Sequence, residues 1–102
     1  MTVYSAKRNP DRCPTHPGEA IEDILRDIHV SKTRIAGLLD ISRQHLHDIL
    51  TGKKPLSAPI AVRVAALLGG TTESWLRMQV AHDAWHAART VDTSKIKRLK
   101  VA

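Results

Sequence analysis

The chain has 102 residues, of which 42% are hydrophobic and 25% charged. That length holds one small domain with little room for a second, and the balance argues against wholesale disorder. The formal net charge of +6 and a pI near 10.0 point to an anionic partner: nucleic acid, an acidic membrane surface or an acidic protein. Phe is absent and Tyr4, Trp75 and Trp85 are the only aromatics, so the core must be aliphatic. With few Gly and no long alternating run, that mix favours a helical bundle. Cys13 is the single cysteine, which excludes an intrachain disulfide. The first residues lack the apolar core of a secretory signal, and no run of 18 apolar residues occurs. A soluble cytoplasmic protein is expected.

In chain order, residues 1–16 carry Pro10 and Pro14, little apolar content and no periodicity, and read as an extended or mobile arm. Pro17 suits a first helical position, and Glu19, Glu22 and Asp23 complement the N-terminal end of the dipole. Ile21, Ile24, Leu25 and Ile28 follow helical spacing, so a first helix is expected over about 17–29. Ser31 is a natural N-cap for a second helix from Lys32 to Leu39. Asp40 and Ile41 make a tight turn, and Ser42 caps a third helix from Arg43 to Thr51, stopped by Gly52. Ser57 and Pro59 open a fourth helix. "GGTTE" breaks it, and Thr72 is placed to cap a fifth running to about Arg89. The basic, alternately apolar stretch 90–102 reads as a short strand or a loose tail. The domain proper is expected over 17–89.

On a helical wheel, Leu46, Ile49 and Leu50 fall on one face of the third helix with Ile41 below them. Arg43 and His47 are four apart, as are Gln44 and Asp48, so these four share the other face. Such side chains can make directional hydrogen bonds to base edges in a major groove. Across 32–51, Ile35, Leu39, Ile41, Leu46 and Ile49 are apolar where two crossed helices pack, and Ala36 is small where their backbones approach. This pattern resembles the helix-turn-helix of phage-repressor-type DNA-binding proteins. It departs from it at Asp40, a turn position usually filled by Gly.

"HPGEAIEDIL", "ILTGKKPLSAPIAVRVAALLG" and "TTESWLRMQVAHDAW" flank or follow that motif, and together they resemble a HigA-type antitoxin over roughly residues 16–86. The resemblance implies an all-α, five-helix phage-repressor-like domain without enzymatic activity. It further implies a homodimer that binds double-stranded operator DNA, autorepresses its operon and neutralises a RelE/HigB-like mRNA-cleaving toxin. Carried over by position, Ser42, Arg43 and Gln44 meet bases, with His47 and Asp48 one turn later. Lys32, Thr33, His45, Lys53 and Lys54 are the phosphate candidates. A stand-alone phage-like repressor is the alternative, because it shares every DNA-contacting residue. An adaptor that offers its basic face to an acidic protein is a third reading.

Trp75, Met78, His82 and Trp85 recur at helical spacing, which is either a core stripe or, because so small a domain has trouble burying both tryptophans, part of a dimer interface. His82 and His86 are four apart and could ligate a metal. "HDAWH" has Asp where a zinc-protease motif needs Glu, and no third ligand is evident, so no metal site is expected. Cys13 has no catalytic context and reads as inert. The chain has no Gly-rich phosphate loop, no acidic dyad and no nucleophile–base pair, which speaks against an enzyme, and no cofactor is expected.

Overall fold

Pro17 has no amide hydrogen to lose and a φ already suited to a helix, so it opens α1, Pro17–Asp27. The cap is His16, whose ring Nδ1 accepts the Gly18 N–H at 2.9 Å. The structure is a computed structural model that describes residues 11–100. Four further helices follow: α2 Lys32–Leu38, α3 Arg43–Leu50, α4 Ala58–Leu68 and α5 Thr72–Thr90. No strand occurs among the described residues, so the chain is all-α. Of the expected arm, residues 1–10 lie outside the described residues, as do 101–102 of the tail. The described tail holds one tight turn, in which the Ile96 N–H donates to the Thr93 carbonyl at 2.9 Å. No helix among the described residues is long and apolar enough to cross a membrane.

Local chemistry explains where these helices begin and end. Ser31 and Ser42 cap α2 and α3 as expected, their hydroxyls accepting the Arg34 and His45 N–H groups at 3.1 and 3.0 Å. Each such cap contributes about 1 kcal/mol. Ser57 supplies only the extended backbone of a cap, without a side-chain bond. At α5 the cap is Thr71 rather than Thr72. Thr71 Oγ1 accepts the Ser74 N–H at 3.0 Å while Ser74 Oγ accepts the Thr71 N–H at 3.1 Å, a reciprocal box that selects between two adjacent threonines. The first helix stops at Asp27, two residues short of expectation, because Ile28 is already extended. The second and third each end one residue short, with Leu39 and Thr51 as their C-caps. Gly52 follows at φ +80°, the left-handed geometry that closes a helix.

The core is aliphatic apart from one tryptophan. Ile21 and Leu25 of α1 meet Ile35 and Ala36 of α2, Leu39 beyond it, and Leu46, Ile49 and Leu50 of α3. Leu56, Ile60, Ala61, Val64 and Trp75 complete it from the second half of the chain. Burial of each Ile or Leu side chain contributes about 1.5–3 kcal/mol before the entropy of ordering is subtracted. Trp75 is not surplus surface: it is 6% exposed, and its indole N–H donates to the Gly69 carbonyl at 2.9 Å. The domain therefore buries one of its two tryptophans fully.

Two contacts fix how the helices sit on one another. Gln79, 6% exposed, accepts the Leu56 N–H at 2.7 Å through Oε1 and donates to Asp83 at 2.9 Å through Nε2. One buried amide thus fastens the α3–α4 connection to α5. At the other end, Gly18 lies against the last turn of α3 so closely that a Cβ there would overlap the Ile49 carbonyl oxygen.

In an exposed helix, replacing Gly by Ala stabilises by about 0.5–1 kcal/mol. Gly18→Ala should instead destabilise, by about 1–3 kcal/mol in urea unfolding, because backbone rather than a flexible side chain must give way. A gain in stability would show that α1 and α3 do not approach so closely. Gln79→Leu keeps the volume but leaves the Leu56 N–H buried and unpaired. It should cost about 1–3 kcal/mol, and a neutral result would dismiss the bond as a determinant of the fold.

Candidate nucleic-acid interface

The motif is built from the turn outward. Leu39 caps the end of α2, Asp40 takes φ +57°, and the Ile41 N–H returns to the Ala36 carbonyl at 3.0 Å. Asp40 therefore adopts the left-handed geometry for which Gly is the usual choice. The strain is of order 1 kcal/mol, and Asp and Asn bear it best among side-chain-bearing residues. From α4, Arg63 donates to the Leu39 carbonyl at 3.3 Å and braces the same corner. No feature of the sequence marked Arg63 for this role.

Once the turn is set, α3 presents two chemically opposite faces. Leu46, Ile49 and Leu50 are buried, whereas Ser42, Arg43, Gln44 and His47 are exposed and His45 is half-buried. Asp48 is not a free acceptor. Its Oδ1 accepts from Gln44 Nε2 at 3.0 Å, and its Oδ2 lies 3.8 Å from Lys54 Nζ. Its side chain is 14% exposed against 55% for Lys54. A chain Gln44–Asp48–Lys54 therefore runs along the helix and holds the Gln44 amide in one orientation. Ser42 uses a hydroxyl lone pair as the cap and keeps its O–H to donate. Lys53 and Thr33 are exposed, while Lys32 meets Glu22 of α1 at 2.9 Å.

The four residues read as an interface on the last helix do not form one patch. Trp75 is in the core. Met78 is exposed, and His82 turns toward the segment before α1, its Nδ1 at 2.9 Å from the Pro14 carbonyl. Trp85 is half-buried beneath the Arg89 guanidinium, 3.7 Å from its ring centre. His16 packs edge-on against His82 with ring centres 5.0 Å apart. Burial and the neighbouring His82 lower the His16 pKa, against smaller opposing effects of Asp83 and Glu19. A neutral His16 keeps the lone pair that caps α1. In the tail, the Ser94 N–H donates to Asp92 and lowers its carboxyl pKa. Cys13 Sγ lies within 3.5 Å of both His82 and His86, a grouping that separations of 69 and 73 positions hide from the sequence.

No protein-family model matches the chain. Antitoxin HigA-1 of Vibrio cholerae is 32% identical to it over 79 residues, covering 76% of this chain and 74% of the relative. An addiction-module antidote protein of a HigA family from Coxiella burnetii superposes with a TM-score of 0.70 at 32% identity, over 82% of this chain and 90% of that one. PA4674 of Pseudomonas aeruginosa, solved in complex with 28 bp of its operator DNA, gives a TM-score of 0.70 at 26% identity, over 84% of this chain and 99% of that one. The exposed polar face of α3, the left-handed turn before it and these similarities agree: the chain belongs to the HigA-type antitoxin family of helix-turn-helix proteins.

Proposed function

We propose that this protein binds its own operator as a homodimer, sets α3 in the major groove, and neutralises a RelE-like mRNA-cleaving toxin. The observation that carries the DNA reading is the split of α3 into a buried aliphatic face and an exposed face bearing Arg43, Gln44 and His47. A helix held rigidly on one side and furnished with fork-shaped donors and acceptors on the other is suited to base edges.

The roles follow from the bonds already made. Arg43 is the candidate for a bidentate contact to guanine O6 and N7. Gln44 spends one amide hydrogen on Asp48, which leaves the second hydrogen and the carbonyl oxygen to pair with adenine N7 and N6. Asp48 serves as a positioning residue for Gln44 and Lys54 rather than as a reader of bases. Ser42 and His47 complete the groove-facing set. Lys53, Lys54, His45 and Thr33 are assigned to phosphates. Lys32 joins them by exchanging Glu22 for a phosphate, a small cost because a half-exposed ion pair contributes at most about 1 kcal/mol.

One recognition helix reads only a few base pairs, so specificity calls for a two-fold dimer with half-sites about 34–36 Å apart or a multiple of it. Met78 and Trp85 are the proposed α5 contribution to that dimer, with Trp75 in the core and His82 turned toward Pro14 behind them. The toxin reading rests on the family. Glu19, Glu22, Asp23 and Asp27 give α1 the charge that a basic toxin requires. No chemical step is assigned to the chain itself.

Arg43→Ala and Gln44→Ala should each weaken operator binding by about 1–3 kcal/mol and leave random DNA nearly unaffected. Equal losses on both DNAs would refute base readout. Lys53→Ala should weaken all DNA and lower the salt slope by about one. Sedimentation should find a dimer at micromolar concentration, and a monomer that binds a palindrome tightly would contradict the assembly. The neighbouring reading frame should encode a small protein that co-purifies with this one and arrests growth without it. If pull-downs recover DNA alone and the neighbour is harmless, the stand-alone repressor reading replaces the antitoxin.

A further inference from the structure

Cys13, in the segment that leads into α1, packs against the C-terminal half of α5. Its Sγ lies 3.5 Å from His82 Nδ1 and 3.4 Å from His86 Nε2. One donor atom from each of the three residues can be chosen so that all lie within 4.8 Å of one another. A tetrahedral zinc ion with a Zn–S bond of about 2.3 Å and Zn–N bonds of about 2.0–2.1 Å sets its sulfur and nitrogen ligands about 3.5 Å apart. Both sulfur–nitrogen edges of the cluster have that length.

A thiol has one weakly donated hydrogen, and here the Pro14 carbonyl at 3.4 Å and a ring nitrogen of His86 are both within its reach. His82 Nδ1 donates to the Pro14 carbonyl at 2.9 Å and so meets the sulfur as a donor. The side chains around the cluster hold the rings in place. His82 and His86 are one helical turn apart with ring centres separated by 4.6 Å, and Trp85 packs edge-on against His86. His16 is a wall and not a ligand. Its Nδ1 accepts the Gly18 N–H, so in the neutral ring Nε2 carries the hydrogen. The site opens on a cleft of about 550 Å³ bordered by Cys13, His82 and the end of α3 at Thr51 and Gly52. An ion can enter through it, and a water can occupy the fourth position.

We propose that Cys13, His82 and His86 bind one zinc-type divalent cation per chain and so pin the segment before α1 to α5. A thiolate with two imidazoles favours Zn²⁺ over the hard, oxygen-seeking cations. Binding takes the proton from the thiol. If it proceeds through His82 Nδ1, it also replaces that atom's contact with Pro14. The ion closes a loop of about seventy residues, a crosslink between distant parts of the chain.

The test uses the full reduced chain after chelation and dialysis, titrated with Co²⁺ and then Zn²⁺. One Co²⁺ per chain should bind with tetrahedral visible bands and a thiolate-to-cobalt charge-transfer band, and Zn²⁺ should displace it. Cys13→Ser and the exposed His86→Ala should each retain the helical circular dichroism and lower Zn²⁺ affinity by roughly 100-fold or more, beyond what loss of an outer-shell partner does. A hundredfold excess of Zn²⁺ over Kd should raise the Tm of the wild type by roughly 10 °C or more and leave Cys13→Ser unmoved. Absence of the charge-transfer band, binding that survives Cys13→Ser, or one ion per two chains would each overturn the site. None of these outcomes bears on operator binding.

Discussion

A Cβ at residue 18 would run into the Ile49 carbonyl oxygen, so the first turn of α1 can lie on the last turn of α3 only because that position is glycine. The contact decides more than local packing. Gly18 also donates to the His16 cap, so the cap of one helix and the seat of another are the same peptide. With its C-terminal turn held there and Leu46, Ile49 and Leu50 in the core, α3 is anchored along one whole side. A helix anchored so offers its other side in a defined orientation.

Charge is organised around that rigid helix. Asp48, largely buried between Gln44 and Lys54, spends its negative charge inside the protein, so the face offered outward by α3 is polar and cationic. The acidic side chains concentrate on α1, where Glu22 meets Lys32 at 2.9 Å and Asp23 meets Arg26 at 3.1 Å. The net charge of +6 is therefore spread unevenly, with four acidic side chains on α1 against the single Arg26 there.

The last helix divides along its length. Its first half faces inward, with Trp75 in the core and Gln79 holding the α3–α4 connection. Its second half extends past the core, and there His82, Trp85 and His86 meet the segment before α1 and each other. The segment before α1 and the C-terminal half of α5 are thus joined through side chains of modest hydrophobicity.

Much of this was legible in the residues themselves. Helical spacing of Ile, Leu and Val, Ser at the caps, Pro17 at a start and Gly52 at a stop are local physics, and they place five helices to within about two residues. The same local rules identify the exposed face of α3, because four-residue spacing alone puts Arg43 with His47 and Gln44 with Asp48. What they leave open is anything that depends on which of several side-chain bonds forms, or on a partner far along the chain. Thr71 or Thr72 as a cap turned on Ser74, and whether Trp75 was core or surface turned on the α4–α5 packing and the Gly69 carbonyl. Asp48 read as a free acceptor until Lys54 and Gln44 were seen to occupy it. Cys13 looked inert because its surroundings are two histidines some seventy residues away. Periodicity and capping are properties of neighbours in sequence, so the sequence by itself determined the helices, their buried faces and the DNA-binding motif. The close approach at Gly18, the bond from Gln79 to Leu56 and the meeting of Cys13 with α5 exist only once the chain has folded back on itself, so the tertiary structure alone decided them.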